Sequence, residues 1–435
     1  MKLANPTLIY FSISILALYG DIVKRILPAG AALGVVYAAA ILILLMMMVQ
    51  RRTAGPVSAH RHLAREAQWV NLFTGILIVT YIAQFLTSFN SPFAEGLSHL
   101  LYMVIPLSFI LVVQKARFNF SLAELAKLFL WMMIPINIVG LIQFGVDPSF
   151  LISTSYSGNE MGGVIARNLL EGGVFNRYPS IFASADRYSA MGLMQFYFSW
   201  MLLTAGTLMT RKAKLWLAFN LLSSFVALGI AGARSRVLIV VVVLLLIVLS
   251  EAIQIFGTVL GTRRGRASTI AYLLGGITVV AALVVPMMNS EDYPIVLLLQ
   301  QSLSSGDINM RFDEAVLFSF LPKDVSLFGA GLGTIGVGGK PGEFGIMSTW
   351  AESGLIWGGI ILLAFFAICL TLAKLMFKAI LTGQLVRLVM VGIPLLLLIF
   401  ALLSGLTSSF ELSSGILLGC AIAVALRRSY HQQRY

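Results

Sequence analysis

Arginines and a few carboxylates carry most of the chemistry this sequence can offer. Arg187 stands in SADRYSAM, Arg234 and Arg236 in GARSRVL, and Arg311 in GDINMRFDEAVLFSFL, with Arg167 and Arg177 a little upstream of the first. A guanidinium presents its N–H groups as a planar fork that matches two phosphate oxygens at once. Several such forks at one membrane face suit a lipid diphosphate. For any one of them the competing role is structural, as a partner of Asp186, Asp307, Glu314 or a lipid headgroup. Two carboxylates could take a proton from a hydroxyl: Glu343 in KPGEFG and Glu352 in TWAESG. Glu352 falls about two turns into an apolar span, with Ser348 as a candidate cap, and a carboxylate there needs a partner or a function. His99, at the outer end of another span, is a weaker candidate base, because a lone histidine at a helix end is usually interfacial.

Between these groups runs GAGLGTIGVGGKPG, residues 329–342, half of it glycine. Its G-x-G-x-x-G letters lack the strand, helix and distal acid of a dinucleotide fold, so a nucleotide role is rejected. A flexible turn back into the membrane and a mobile lid over a membrane-level site both fit. Cysteine and histidine add little. Cys369 and Cys420 lie inside apolar spans, and His60, His62, His99 and His431 show no ligand spacing.

The elements that must hold these groups are membrane helices. The 435 residues are 59% hydrophobic and 11% charged, with a mean hydropathy of +0.92. A soluble domain cannot hide that much apolar surface. Runs near the bilayer-crossing length of about 20 residues recur throughout. They predict an all-α polytopic membrane protein, a single integral-membrane domain over 1–435, with about twelve spans. These fall near 6–22, 28–50, 67–88, 99–114, 123–145, 188–209, 215–233, 237–257, 268–288, 347–373, 380–403 and 407–426.

Charge sets the expected orientation. With the N-terminus cytoplasmic, 20 of the 30 Lys and Arg fall in short cytoplasmic segments, beside only Glu66, Glu124 and Glu251. That is the positive-inside pattern. It explains most of the net charge of +12 without a nucleic-acid partner. Both termini are then cytoplasmic, and two long periplasmic loops, about 147–186 and 289–346, carry the outer polarity. Polarity on one face favours chemistry there over transport, for which broken helices and mid-membrane charge in both halves are the usual marks. A non-catalytic assembly role is the third class.

Four segments in order resemble one family. FASADRYSAMGLM resembles a loop returning to the membrane, and GIAGARSRVLIVVVVLLLIV a Ser-Arg turn before a wholly apolar span. RFDEAVLFSFLPKDVSLFGAGLGTIG resembles an Arg-containing helix leading to a glycine loop, and STWAESGLIWGG the start of the next span. The family is the O-antigen ligase and O-antigen polymerase superfamily, bacterial inner-membrane glycosyltransferases, and the resemblance covers roughly 174–359.

The resemblance implies a polyprenyl-diphosphate-linked glycan as donor and a glycan or lipid-linked acceptor, with a chain-length regulator protein as a further partner. It implies no cofactor and no metal, because the leaving group is already a diphosphate that cationic side chains can stabilise. Arg187, Arg236 and Arg311 would bind that diphosphate, with Arg177 and Arg234 behind them. Glu343 or Glu352 would act as base. The family's ligases carry a histidine just before the span that opens GIMSTWAESG; here Ile346-Met347-Ser348-Thr349 stands in that place. That departure points to the polymerase type or to a more divergent member, and the paired Arg-x10-Gly motifs of some polymerases are not evident.

Overall fold

The computed structural model describes residues 6–26, 29–53, 65–87, 93–115, 120–147, 150, 166–170, 173–178, 180–182, 185–205, 210–231, 234–259, 327–332, 345–404 and 412–431. Among them are eleven helices: α1 (Pro6–Ile26), α2 (Ala29–Thr53), α3 (Arg65–Thr87), α4 (Phe93–Lys115), α5 (Leu122–Gly145), α6 (Ala185–Ala205), α7 (Arg211–Ala231), α8 (Arg234–Val259), α9 (Gly345–Leu381), α10 (Leu385–Ser404) and α11 (Leu412–His431). Seven of them are long and apolar enough to cross a membrane. The expected span at 268–288 lies outside the described residues, as does the short helix expected around Arg311.

Among the described residues one element is not helical. Between α5 and α6, β1 (Ala166–Leu170) pairs antiparallel with β2 (Gly173–Arg177), Ala166 opposite Arg177. The all-α expectation holds for the bundle, with this ribbon as an addition.

Local chemistry explains several helix ends and crossings. Ser121 caps α5, its hydroxyl accepting from the Glu124 N–H at 3.3 Å, which satisfies one of the orphan donors of a first turn. Pro106, Pro135 and Pro394 sit inside α4, α5 and α10. Glycine permits close approach: a methyl at Gly419 of α11 would meet the Pro106 carbonyl at 2.7 Å, the small-residue contact typical of membrane helices.

Two helices form the hub. Nearly every residue of α6 from Tyr188 to Leu202, and of α11 from Ser414 to Leu426, is buried. The outer helices instead expose large apolar side chains, among them Leu42, Val79, Trp131, Leu363 and Phe366. Such a belt is stable only against hydrocarbon or another apolar partner.

Because α6 is shielded by its neighbours, it can carry polar groups that a lipid-facing helix could not. The Asn137 amide donates to Gln195 Oε1 at 3.0 Å, the Gln195 amide to Asn220 Oδ1 at 3.1 Å, and Asn220 to the Trp216 carbonyl at 3.0 Å. Tyr188 donates to Asn137 Oδ1 at 3.2 Å. This buried chain ties α5, α6 and α7 together, and each partner is needed because an unpaired amide in an apolar interior is costly.

Candidate functional site

The polar groups gather at one end of the bundle. The chain returning from the β-ribbon is anchored there first. Gln143, near the end of α5, donates to the Ser180 carbonyl at 2.9 Å and accepts from its N–H at 2.8 Å. The Ser180 hydroxyl donates to the Ile136 carbonyl at 2.6 Å, and the Tyr178 N–H reaches the Ile230 carbonyl of α7 at 3.2 Å. These bonds fix the entry into α6 and so the position of Arg187 and Ser189.

Arg236, in the first turn of α8, is almost wholly buried and donates to the Ser189 hydroxyl of α6. Arg187 is half-buried on the same turn of α6, within electrostatic reach of the Tyr37 hydroxyl of α2. Tyr37 contacts Ser98 of α4, at 3.1 Å from both its carbonyl and its hydroxyl oxygen. Two arginines from separate helices thus stand at one end of the bundle, Arg236 bonded to the Ser189 hydroxyl and Arg187 within reach of the Tyr37 hydroxyl.

The next residue, His99, faces Glu352 of α9. Its Nε2 lies 3.7 Å from Glu352 Oε2, and both side chains are buried, at 3% and 6% exposure. His99 Nδ1 has no hydrogen-bond partner among the described residues. Tyr81 of α3, also buried, lies within electrostatic reach of the carboxylate. Gln84 of α3 donates to the Glu352 carbonyl at 3.3 Å and accepts from the Ser353 hydroxyl at 3.1 Å.

The break in α9 explains why that carbonyl is available. The sequence predicts one continuous span over 347–373, but Gly354 is non-helical at φ 67°, ψ −170°. The segment 327–332 fills the gap. The Gly331 N–H donates to the Glu352 carbonyl at 3.0 Å, and the Ile356 N–H to the Leu327 carbonyl at 3.1 Å. Gly329 and Gly331 have φ of 78° and 108°. A methyl on Gly329 or Gly354 would overlap the other's backbone, so the two glycines interlock where no side chain fits. The start of the glycine stretch is therefore a built joint against α9. The remainder, 333–342, lies outside the described residues.

Among the sequence candidates, Arg187, Arg236 and Glu352 come to the same end of the bundle. Glu343 and Arg311 lie outside the described residues. Arg167 and Arg177 are placed by backbone only, in β1 and β2, and Arg234 by backbone at the first position of α8. Two expectations are corrected. Ser348 lies inside the first turns of α9, which begins at Gly345, and is not its cap. His99 is not interfacial but buried against Glu352, because a helix distant in sequence packs its carboxylate there. Tyr81, Gln84 and Ser98 were missed; each reads in sequence as one more polar residue in an apolar run.

The opposite end has another character. Arg65, Lys127, Arg211, Lys212, Lys214, Lys374 and Lys378 all belong to the helix ends remote from the site. The chain matches no family model, and no curated protein matches it.

Proposed function

We propose that the chain is a membrane glycosyltransferase of the O-antigen or exopolysaccharide polymerase type. It would transfer or polymerise polyprenyl-diphosphate-linked glycan repeats at the periplasmic face of a bacterial inner membrane. The observation that carries this reading is the gathering of Arg187, Arg236 and the buried Glu352–His99 pair at one end of an apolar bundle. The basic helix ends lie at the other end, which the positive-inside rule assigns to the cytoplasm. Twelve spans, two long periplasmic loops and cytoplasmic termini complete the proposal.

In the reaction, the bond between the anomeric carbon and the diphosphate oxygen breaks. A bond from that carbon to an acceptor hydroxyl oxygen forms, and the lipid diphosphate leaves. Arg236 and Arg187 offset the charge growing on the leaving oxygens, with Arg177, Arg234 and Arg311 as further diphosphate ligands. The hydroxyl proton goes to the Glu352–His99 pair. The unpartnered Nδ1 of His99, buried until the site opens, accepts it, and the Glu352 carboxylate stabilises the imidazolium that results, the logic of any carboxylate-oriented imidazole base. Glu343 is the alternative base. The segment 327–332 covers the α9 break and would lift to admit the acceptor.

A second reading has its own observation. A discontinuous helix beside a buried carboxylate is a transporter feature, and α9 is broken at Gly354. Purified protein in liposomes, given a lipid-diphosphate-linked repeat, separates the readings. Longer glycans support polymerisation, and transfer to lipid A core indicates a ligase. Movement of the lipid across the bilayer with no new glycosidic bond indicates a transporter.

A further inference from the structure

At the end of the bundle remote from the site, an open cleft of about 360 Å³ separates α3 from α9. That volume lies within the range of small-molecule sites, about 300–1,000 Å³. Its lining is Arg65, Glu66, Trp69, Leu370, Thr371 and Lys374. We propose that this cleft binds the headgroup of an anionic phospholipid, with the phosphate between Arg65 and Lys374 and the acyl chains running along Trp69 and Leu370.

Charge is the first argument. Arg65 is the first residue of α3, where the helix dipole is already positive. A cation there works against helix stability, yet Arg65 is exposed and has no carboxylate partner among the described residues. Glu66 is the only acid in the lining. It is shared between Lys374, 3.7 Å away, and Arg387 of α10, which lies within its electrostatic reach. The cleft is therefore left with an excess of positive charge at the positive end of a helix dipole, the arrangement that attracts an anion.

Shape and polarity are the second argument, and they select a lipid over a free anion. Trp69 is half-exposed and stacks on Phe73 with ring centroids 5.8 Å apart. Leu370 is 55% exposed one turn before Lys374. An indole beside the cation-bearing ends of two apolar helices is the usual mark of a membrane–water boundary. Below it, Leu72, Leu363 and Phe366 continue the exposed apolar surface on the same two helices. Basic pockets between membrane helices are where acidic headgroups settle. The inference is independent of the proposed reaction, which it places at the opposite end.

The test is native mass spectrometry of the full chain, titrated with phosphatidylglycerol or phosphatidylcholine of matched acyl chains. The intact protein should prefer phosphatidylglycerol, and Arg65→Ala combined with Lys374→Ala should lower that preference about 30-fold. Lys127→Ala with Lys378→Ala removes two charges from the same end of the bundle and should change it little. All four side chains lie at helix ends or surfaces, so circular dichroism should show both variants folded. Equal affinity for the two lipids would overturn the proposal. So would an equal loss in the control variant, which means diffuse surface charge. Displacement of phosphatidylglycerol by millimolar inorganic phosphate would also overturn it, because the cleft would then be a free-anion site.

Discussion

Replacing Gly354 with alanine tests the joint on which the site is built. The residue sits at φ 67°, ψ −170°, a region essentially closed to side chains and worth about 1–3 kcal/mol of strain. The added methyl would also overlap the Gly329 N–H group and the Leu327 carbonyl. Relieving that overlap separates segment 327–332 from α9 and breaks two bonds, Gly331 N–H to Glu352 and Ile356 N–H to Leu327. At about 0.5–1.5 kcal/mol each, the bonds bring the total to about 2–6 kcal/mol. The cost is local, so the assay is amide hydrogen exchange in a nanodisc. Protection at Gly331 and Ile356 should fall by at least roughly 30-fold, since about 1.4 kcal/mol is a factor of ten. Gly359→Ala is the control, because a methyl there meets nothing within 4 Å; it should be neutral or mildly stabilising. Unchanged protection at those amides in Gly354→Ala would refute the interlocking joint.

Three other outcomes follow, two from the structure and one from the charge pattern of the sequence. Gln195→Leu leaves Asn137 and Asn220 each short of a buried partner and should destabilise the bundle by about 1–3 kcal/mol for each orphaned group, read as a lower unfolding midpoint in detergent; an unchanged midpoint would show that the amide chain contributes nothing. Arg236→Ala should lower transfer well over tenfold, on the scale of about 2–4 kcal/mol for an electrostatic stabiliser. Arg236→Lys should recover only part, because it keeps the charge and loses the fork, and full activity in Arg236→Ala would reduce the residue to a structural donor to Ser189. External thiol labelling should reach cysteines placed at Ser157 and Gly338 but not at Ser58; labelling at Ser58 would invert the orientation.

Much of the fold was legible because bilayer crossing leaves a long apolar run. The runs expected at 28–50 and 123–145 are helices at Ala29–Thr53 and Leu122–Gly145. The Ser-Arg pair expected in a turn after 215–233 instead opens α8, which begins at Arg234. The interior was harder. Asn137, Gln195 and Asn220 form one chain, but they stand on three helices, and sequence spacing carries no signal for contacts between helices. The α9 break was invisible because glycine tolerates a helix as well as a positive φ. Only segment 327–332, contributed from upstream, makes the left-handed conformation necessary at Gly354. His99 was undervalued for the same reason: its partner Glu352 comes from the far end of the chain.

The central claim is that the buried Glu352–His99 pair accepts a proton during glycan transfer. It is tested most directly by single-turnover transfer with a lipid-diphosphate donor, measured for the wild type, Glu352→Gln and His99→Gln at donor saturation. Both variants should bind the donor as the wild type does. Each should lose transfer by about 100-fold or more, the usual scale for general-base catalysis. Wild-type rates in both variants, with donor binding intact, would contradict the account and leave the pair a structural tie between α4 and α9.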